Sequence, residues 1–329
     1  MIAVHSTLLG QAIGGLRIKA YDDPLDGVAD CLRLSEAMTV RSAAIDNGTG
    51  GAKAVVPLPR HLRMTTSLRE AILLDVADQV HKLGGGCRVI PGCGTDPDDM
   101  DIMNRNTPYV AGRSKGAGGV GSSSFARFIG VQSAIRCAVK QVLRRETLRG
   151  MTVVIVGLDD VGSLLAETFA QERVKLVLSD QDEAKRAMAV TLGAKWLEPE
   201  RAYLAQCDLL VPCAAEGVLT ADRVIPLQCR IICGAAHNQL ETDAVALALA
   251  REGVTYVPDF IANSGGLIYT TAIELHQRSE GAAAQQVHDV IARNVRLVLE
   301  SAAHAGVSTQ EAALRVARGR LLEIQQRAA

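Results

Sequence analysis

The stretch VVIVGLDDVGSLLAE, residues 153 to 167, reads as a buried strand, a tight turn and the first turns of a helix. In that setting the dinucleotide fingerprint G-x-G-x-x-G uses its first glycine for the turn. The second lets the backbone approach a pyrophosphate, and the third lets helix and strand pack closely. Here the turn is Gly157-Leu158-Asp159-Asp160-Val161-Gly162, so both outer glycines are present and an aspartate holds the middle place. Asp180 ends the next strand, where an acidic residue hydrogen-bonds a ribose 2′-hydroxyl and repels a 2′-phosphate. The expected nucleotide-contacting positions are therefore Gly157, Asp159, Val161, Gly162 and Asp180.

The aspartate sets two effects against each other. Facing the phosphates, one like-charge pair at about 4 Å costs about 4 kcal/mol at an effective dielectric of about 20. A helix N-terminus returns only about 0.3–2 kcal/mol to an anion. Repulsion wins in that orientation. If Asp159 turns to cap the helix instead, a weakened site survives.

Outward from this turn, short β-branched runs alternate with helical segments: 152–157, 174–180, 208–214, 230–236 and 254–260, with helices from about 161 and over 182–192. That rhythm predicts a parallel sheet with right-handed crossovers, ligands sitting at the carboxyl ends of its strands. Upstream, strands are expected at 2–9, 14–21, 52–59 and in CRVI (87–90), and helices at 22–44 and 67–83. Residues 107–128 are rich in glycine and serine without a period, which reads as a linker or as a hinge or active-site loop. A helix follows over 128–146, and the last stretch, about 284–329, is helical.

At 329 residues the chain is long enough for two domains. A net charge of −1 argues against nucleic-acid or membrane-surface partners, and 3% aromatic residues leave little for base stacking. The eight cysteines are scattered without a C-x-x-C pair, the start lacks a secretory pattern, and no apolar run approaches a membrane span of about 20 residues. Reduced thiols, no metal and a cytoplasmic location are expected.

Several segments, in order, resemble the Glu/Leu/Phe/Val dehydrogenases, especially the leucine, phenylalanine and tryptophan branch. They are LLGQAIGGLRI (8–18), LRLSEAMTVRSAA (32–44), GGAKAVV (50–56), GTDPDDMDIM (94–103), PCAAEGVLT (212–220), GAAHNQL (234–240) and VPDFIANSGGLI (257–268). The resemblance covers nearly the whole chain. It implies an α/β fold of two domains with a cleft between them. The N-terminal α/β substrate and oligomerisation domain would span 1–125, joined by C-terminal helices 284–329, and a Rossmann-type doubly wound domain would span 126–283. It further implies NAD-dependent, reversible oxidative deamination of an L-amino acid, and a homo-oligomer.

By position, the resemblance sets Gly14 and Gly15 beside the substrate carboxylate, Asn238 by substrate and nicotinamide, and Lys53 as the catalytic amine. A lysine shut away from water has a lowered pKa and serves as base or nucleophile. Ile13, Ile90, Leu267 and Thr270 would line a pocket for a small-to-medium apolar side chain. Four positions depart from the family pattern. Arg41 stands for a carboxylate-binding lysine, and arginine can hold a carboxylate bidentately. Gly92 falls where the family has its catalytic aspartate, with Cys93 one residue on. Arg127 replaces a nicotinamide-contacting threonine, and Asp159 replaces the middle glycine.

Three readings follow. One is a diverged NAD-dependent oxidoreductase of an L-amino acid, 2-oxo acid or imine, with Asp159 and Arg127 weighing against the cofactor. Another is a non-redox enzyme using Lys53 as base or Schiff-base amine. The last is a non-catalytic subunit, associated with another dehydrogenase-like chain.

Overall fold

The computed structural model describes residues 1–214 and 217–328, so Ala215 and Glu216 of the PCAAEGVLT segment lie outside the described residues. The chain divides into two compact units, one made of residues 1–123, 268–283 and 316–329, the other of 124–267 and 284–315.

The first unit holds β1 (Ile2–Ser6), β2 (Ala12–Tyr21), α1 (Pro24–Ile45), β3 (Gly50–Pro59), α2 (Thr66–Lys82), β4 (Cys87–Pro91) and α3 (Pro97–Met103). The sheet order is β1-β3-β2-β4, with β1 antiparallel to β3 and the other pairs parallel. Seven consecutive residues of β2 are buried, as a strand covered on both faces requires. Leu16 and Ile18 of β2 pack with Leu73, Ala77, Val80, Met100 and Met103 from α2 and α3. Against β3, α1 approaches so closely that a Cβ at Gly51 would lie 2.2 Å from the Thr39 nitrogen.

Caps set the helix starts. Asp23 accepts from the Leu25 N–H ahead of Pro24, and Thr65 accepts from Leu68 N–H. Asp96 and Asp99 form a reciprocal capping box on α3, and Asp99 is also clamped by Arg69. Much of GTDPDDMDIM therefore has a structural job. The 107–123 stretch is not a free linker. Ala111 bonds the Val89 carbonyl, and the Gly112 and Val120 N–H groups both donate to Glu274, at 2.9 and 3.0 Å. Glycine and serine hid this order because the ties are backbone-to-carboxylate bonds, which leave no periodic trace.

The second unit begins with α4 (Ser124–Leu143), four residues earlier than the sequence suggests. It continues through β5 (Thr152–Val156), α5 (Asp160–Gln171), β6 (Lys175–Ser179), α6 (Arg186–Thr191), β7 (Lys195–Trp196), α7 (Pro199–Tyr203), β8 (Leu209–Pro212), α8 (Ala221–Val224), β9 (Ile231–Ile232), α9 (Asp243–Arg251), β10 (Thr255–Tyr256), α10 (Asp259–Ala262) and α11 (Gly265–Thr270), whose last three residues fall in the first unit. Its six strands run β10-β9-β8-β5-β6-β7, all parallel, so the order reverses between β5 and β8. That is the doubly wound order of a Rossmann fold, with its switch point beside the 157–162 turn. Strands β9 and β10 are shorter than their apolar runs, and β7 is too short to leave a pattern.

The C-terminal stretch is two helices, α12 (Glu280–Ala305) and α13 (Thr309–Ala328), separated at Gly306, whose φ is +64°. Their allegiance differs from the sequence expectation. Most of α12 packs with the second unit, where Ser133 meets His288 Nδ1 at 2.8 Å and the Cys137 thiol donates to the Ala292 carbonyl at 3.3 Å. Only residues 316–329, with 268–283, join the first unit, and Arg320 there bonds the Ala43 and Ala44 carbonyls. No helix among the described residues is long and apolar enough to cross a membrane.

Candidate active site

The first unit gathers a cationic cluster around Lys53. Strand β3 carries Lys53, β2 carries Gly14, Gly15 and Arg17, and α1 carries Arg41. A Cβ at Gly15 would lie 3.2 Å from Lys53 Nζ, 3.3 Å from the Pro91 carbonyl and 3.4 Å from Gly92 Cα, so glycine there leaves room for the ammonium group. At Gly14 a Cβ would lie 2.0 Å from the Ala52 carbonyl, which makes that glycine a condition of β2 and β3 packing. Burial lowers the Lys53 pKa to about 8, and the positive charges of Arg17 and Arg41 push in the same direction. Arg17 itself is held by Asp30 at 2.7 Å, and Asp30 also accepts from Tyr21.

Gly92 sits against β2. A side chain there would put its Cβ 2.5 Å from the Leu16 carbonyl, so this backbone has no space for a carboxylate at 92. The next residue, Cys93, is exposed. Among the pocket candidates, Ile13 is fully buried and Ile90 half-buried. Leu267 and Thr270 are buried three residues apart on α11, and so share a helix face.

In the second unit the turn after β5 is built as the outer glycines demand. Gly157 has φ +99°, and a Cβ there would lie 2.4 Å from Ala214 Cβ; at Gly162 it would lie 2.0 Å from the Gly157 carbonyl. Asp159 caps α5, its Oδ1 accepting from the Val161 and Gly162 N–H groups at 3.1 and 2.9 Å. The carboxylate thus takes up two amides of the helix's first turn. Asp160 accepts from Ser124 Oγ at 2.8 Å. Arg127 donates to the same hydroxyl at 3.4 Å, while its Nε is buried without a hydrogen-bond partner. Burial pushes the Cys213 thiol up to about 12, with Asp159 adding to the rise and Arg127 opposing it, so both charges reach one point at the sheet's carboxyl edge. Asp180 accepts from Leu158 N–H at 2.6 Å and from Lys185 at 3.1 Å; against the opposing effect of burial, these bonds and one from Asp182 N–H hold it below the usual carboxylate range.

Asn238 is held in a left-handed turn, φ +49°, with its N–H donating to buried Asp259 at 2.9 Å and its carbonyl accepting from Gly217. Asp259 also accepts from Tyr256 Oη at 2.8 Å. Beside it His237 Nδ1 lies 3.1 Å from the Asn263 amide nitrogen.

Family models match residues 1–109 (Glu/Leu/Phe/Val dehydrogenase, dimerisation domain) and 178–328 (Glutamate/Leucine/Phenylalanine/Valine dehydrogenase). L-tryptophan dehydrogenase of Nostoc punctiforme is 34% identical over 98% of this chain and 89% of its own length. Leucine dehydrogenase of Bacillus cereus is 31% identical over 99% and 87%. The chain belongs to the Glu/Leu/Phe/Val dehydrogenase family. The crystal structure of the Nostoc enzyme superimposes with a TM-score of 0.85 at 32% identity, over 99% of this chain and 92% of that one.

Within this family framework, sequence reasoning missed the supports. Asp259 and Tyr256 fix the Asn238 backbone, and Asp30 holds Arg17. The only sequence signal was an acid inside an apolar segment, VPDFIAN, which a buried hydrogen-bonding role explains. Asp259→Ala strands the Asn238 N–H and the Tyr256 hydroxyl, and is expected to cost about 2–3 kcal/mol in urea unfolding. Tyr256→Phe, losing the hydroxyl's bonds to the Asp259 carboxylate and to the Asp259 N–H, is expected to cost about 1–2 kcal/mol.

Proposed function

We propose that this protein is an NAD-dependent oxidoreductase of an L-amino acid and its 2-oxo acid or imine, with a small-to-medium apolar side chain and a weakened nucleotide loop. The observation that carries the reading is Lys53, a half-buried lysine whose pKa is lowered to about 8 by desolvation and by the charges of Arg17 and Arg41, with no carboxylate among the groups that shift it. A lysine in that state is poised to take and return a proton near neutral pH. Arg41 and the Gly15 backbone receive the substrate carboxylate, with Gly14 holding their strand. Asn238, fixed by Asp259, orients the amino or oxo group. Ile13, Ile90 and Thr270 in the first unit, and Leu267 in the second, are the residues assigned to the substrate's apolar side chain.

The second unit fits the cofactor in part. Gly157, Val161 and Gly162 shape the turn, Asp180 suits a ribose hydroxyl, and Arg127 sets a positive charge near Asp159. When bound, NAD supplies the hydride acceptor. The match of residues 1–109 to a dimerisation model supports a homo-oligomer assembled through the first unit.

The test is NADH oxidation with ammonia and a panel of 2-oxo acids bearing apolar side chains. Turnover with one subset is expected; silence across the panel, with the protein folded and NADH shown to bind, would overturn the redox reading. In the deamination direction Lys53 must lose its proton, so log kcat/KM is expected to climb with unit slope at lower pH and to bend near pH 8. Lys53→Arg is expected to abolish that bend along with the activity.

The absence of space for a carboxylate at Gly92 favours one second reading. Chemistry at Lys53 without hydride transfer would appear as a substrate adduct trapped by borohydride.

A further inference from the structure

Two cysteines at the starts of β8 and β9 stand side by side. The β8–β9 ladder pairs Leu209 with Ile231 and Leu210 with Ile232. Two residues before Leu209 is Cys207, and two residues before Ile231 is Cys229. The backbones remain joined there, Cys207 N–H donating to the Gln228 carbonyl at 2.9 Å and Ile231 N–H to the Asp208 carbonyl at 3.2 Å. Neighbouring strands lie about 4.8 Å apart, within the Cα separation of about 4.4–6.8 Å that a disulfide bridges. Both side chains belong to one apolar cluster with Leu210, Ile232 and Val224. The thiols also interact directly, which pushes Cys207 up and holds Cys229 down. Neither is sealed: the two residues are 8% and 9% exposed, against 0% for Cys31 and Cys233.

The other cysteines of this sheet do not repeat the arrangement. Carrying the same register forward sets Cys213 against Ala235, not against Cys233. Cys207 and Cys229 also lie at the amino ends of their strands, opposite the edge where the turn and Asn238 sit.

We propose that Cys207 and Cys229 form a redox-active dithiol that a low-molecular-weight disulfide converts to an intrachain disulfide linking the starts of β8 and β9. The Cys229 thiolate, its proton released to solvent, attacks one sulfur of the small disulfide and expels the other half as a thiolate. The Cys207 thiol then gives up its proton and attacks the Cys229 sulfur, expelling the second half. Two protein thiols are oxidised by two electrons, the small disulfide is reduced to two thiols, and the two protons end on those thiols. An oxidising exposure would thereby tie two strands of the nucleotide-type unit without touching Lys53.

The test is oxidation of the full folded chain by 2-hydroxyethyl disulfide, then alkylation, non-reducing tryptic digestion and mass spectrometry. The expected product joins peptides 202–223 and 224–230, reverts with dithiothreitol, and is absent from Cys207→Ser and from Cys229→Ser. Because peptide 202–223 also contains Cys213, persistence of the linked pair in Cys207→Ser would overturn the assignment. So would its absence from oxidised wild type whose circular dichroism is native. Should either serine variant fail to fold, wild-type fragmentation spectra that place the bond on Cys207 or on Cys213 decide the question.

Discussion

Lys53→Met is expected to lower kcat/KM for the amino-acid or 2-oxo-acid substrate by about 10²–10⁴-fold, the usual contribution of a general acid–base group. The variant keeps an unbranched side chain of similar length and removes the titrating amine. A second readout separates loss of chemistry from loss of fold. In the folded chain Lys53 loses its proton near pH 8, against 10.5 for an ordinary lysine. Between those values the unfolded chain binds more protons, so this residue's contribution to stability rises with pH through that window and is least favourable below it. Lys53→Met removes the penalty and is expected to unfold at higher urea than wild type at pH 7, with a flatter pH dependence. Inactivity together with raised stability marks a group kept for chemistry. Unchanged kcat/KM would remove Lys53 from the mechanism.

Asp159→Gly is expected to tighten NADH binding by about 10–100-fold, equivalent to about 1.4–2.8 kcal/mol. The carboxylate holds the Val161 and Gly162 amides, which a pyrophosphate would otherwise reach, and it brings a negative charge to the same place. Removing it relieves a like-charge repulsion of the order of a few kcal/mol. Exchanging the cap for glycine costs only a few tenths of a kcal/mol. Asp159→Asn keeps a capping oxygen and drops the charge, so an intermediate gain is expected if both effects operate. Isothermal calorimetry on all three proteins checks this. Ordinary micromolar binding by wild type, with no gain in Asp159→Gly, would show that the capped turn is fully competent.

The turn itself shows where sequence stops. VVIVGLDDVG specified a strand, a tight turn and a helix, because Gly157 and Gly162 stand where no Cβ fits. The alternation of β-branched runs with helical segments specified the parallel sheet, since strands covered on both faces need continuous apolar stretches. The ordered segments from LLGQAIGGLRI to VPDFIANSGGLI were sufficient for the family.

Site chemistry was less legible. That Asp159 caps α5 was one of two orientations open to it, and only backbone geometry selects between them. GGAK marked Lys53, but its lowered pKa depends on burial and on Arg17 and Arg41, which arrive from β2 and α1. Gly92 read as a missing aspartate, whereas the Leu16 carbonyl leaves that position no room for a side chain. The order of the 107–123 stretch rests on Glu274, more than 150 residues away, and the register of Cys207 with Cys229 rests on strand pairing. Local pattern determined the elements and the family. Distances, burial and charge around Lys53 and Asp159 were decided by tertiary structure, because each depends on groups far away in sequence.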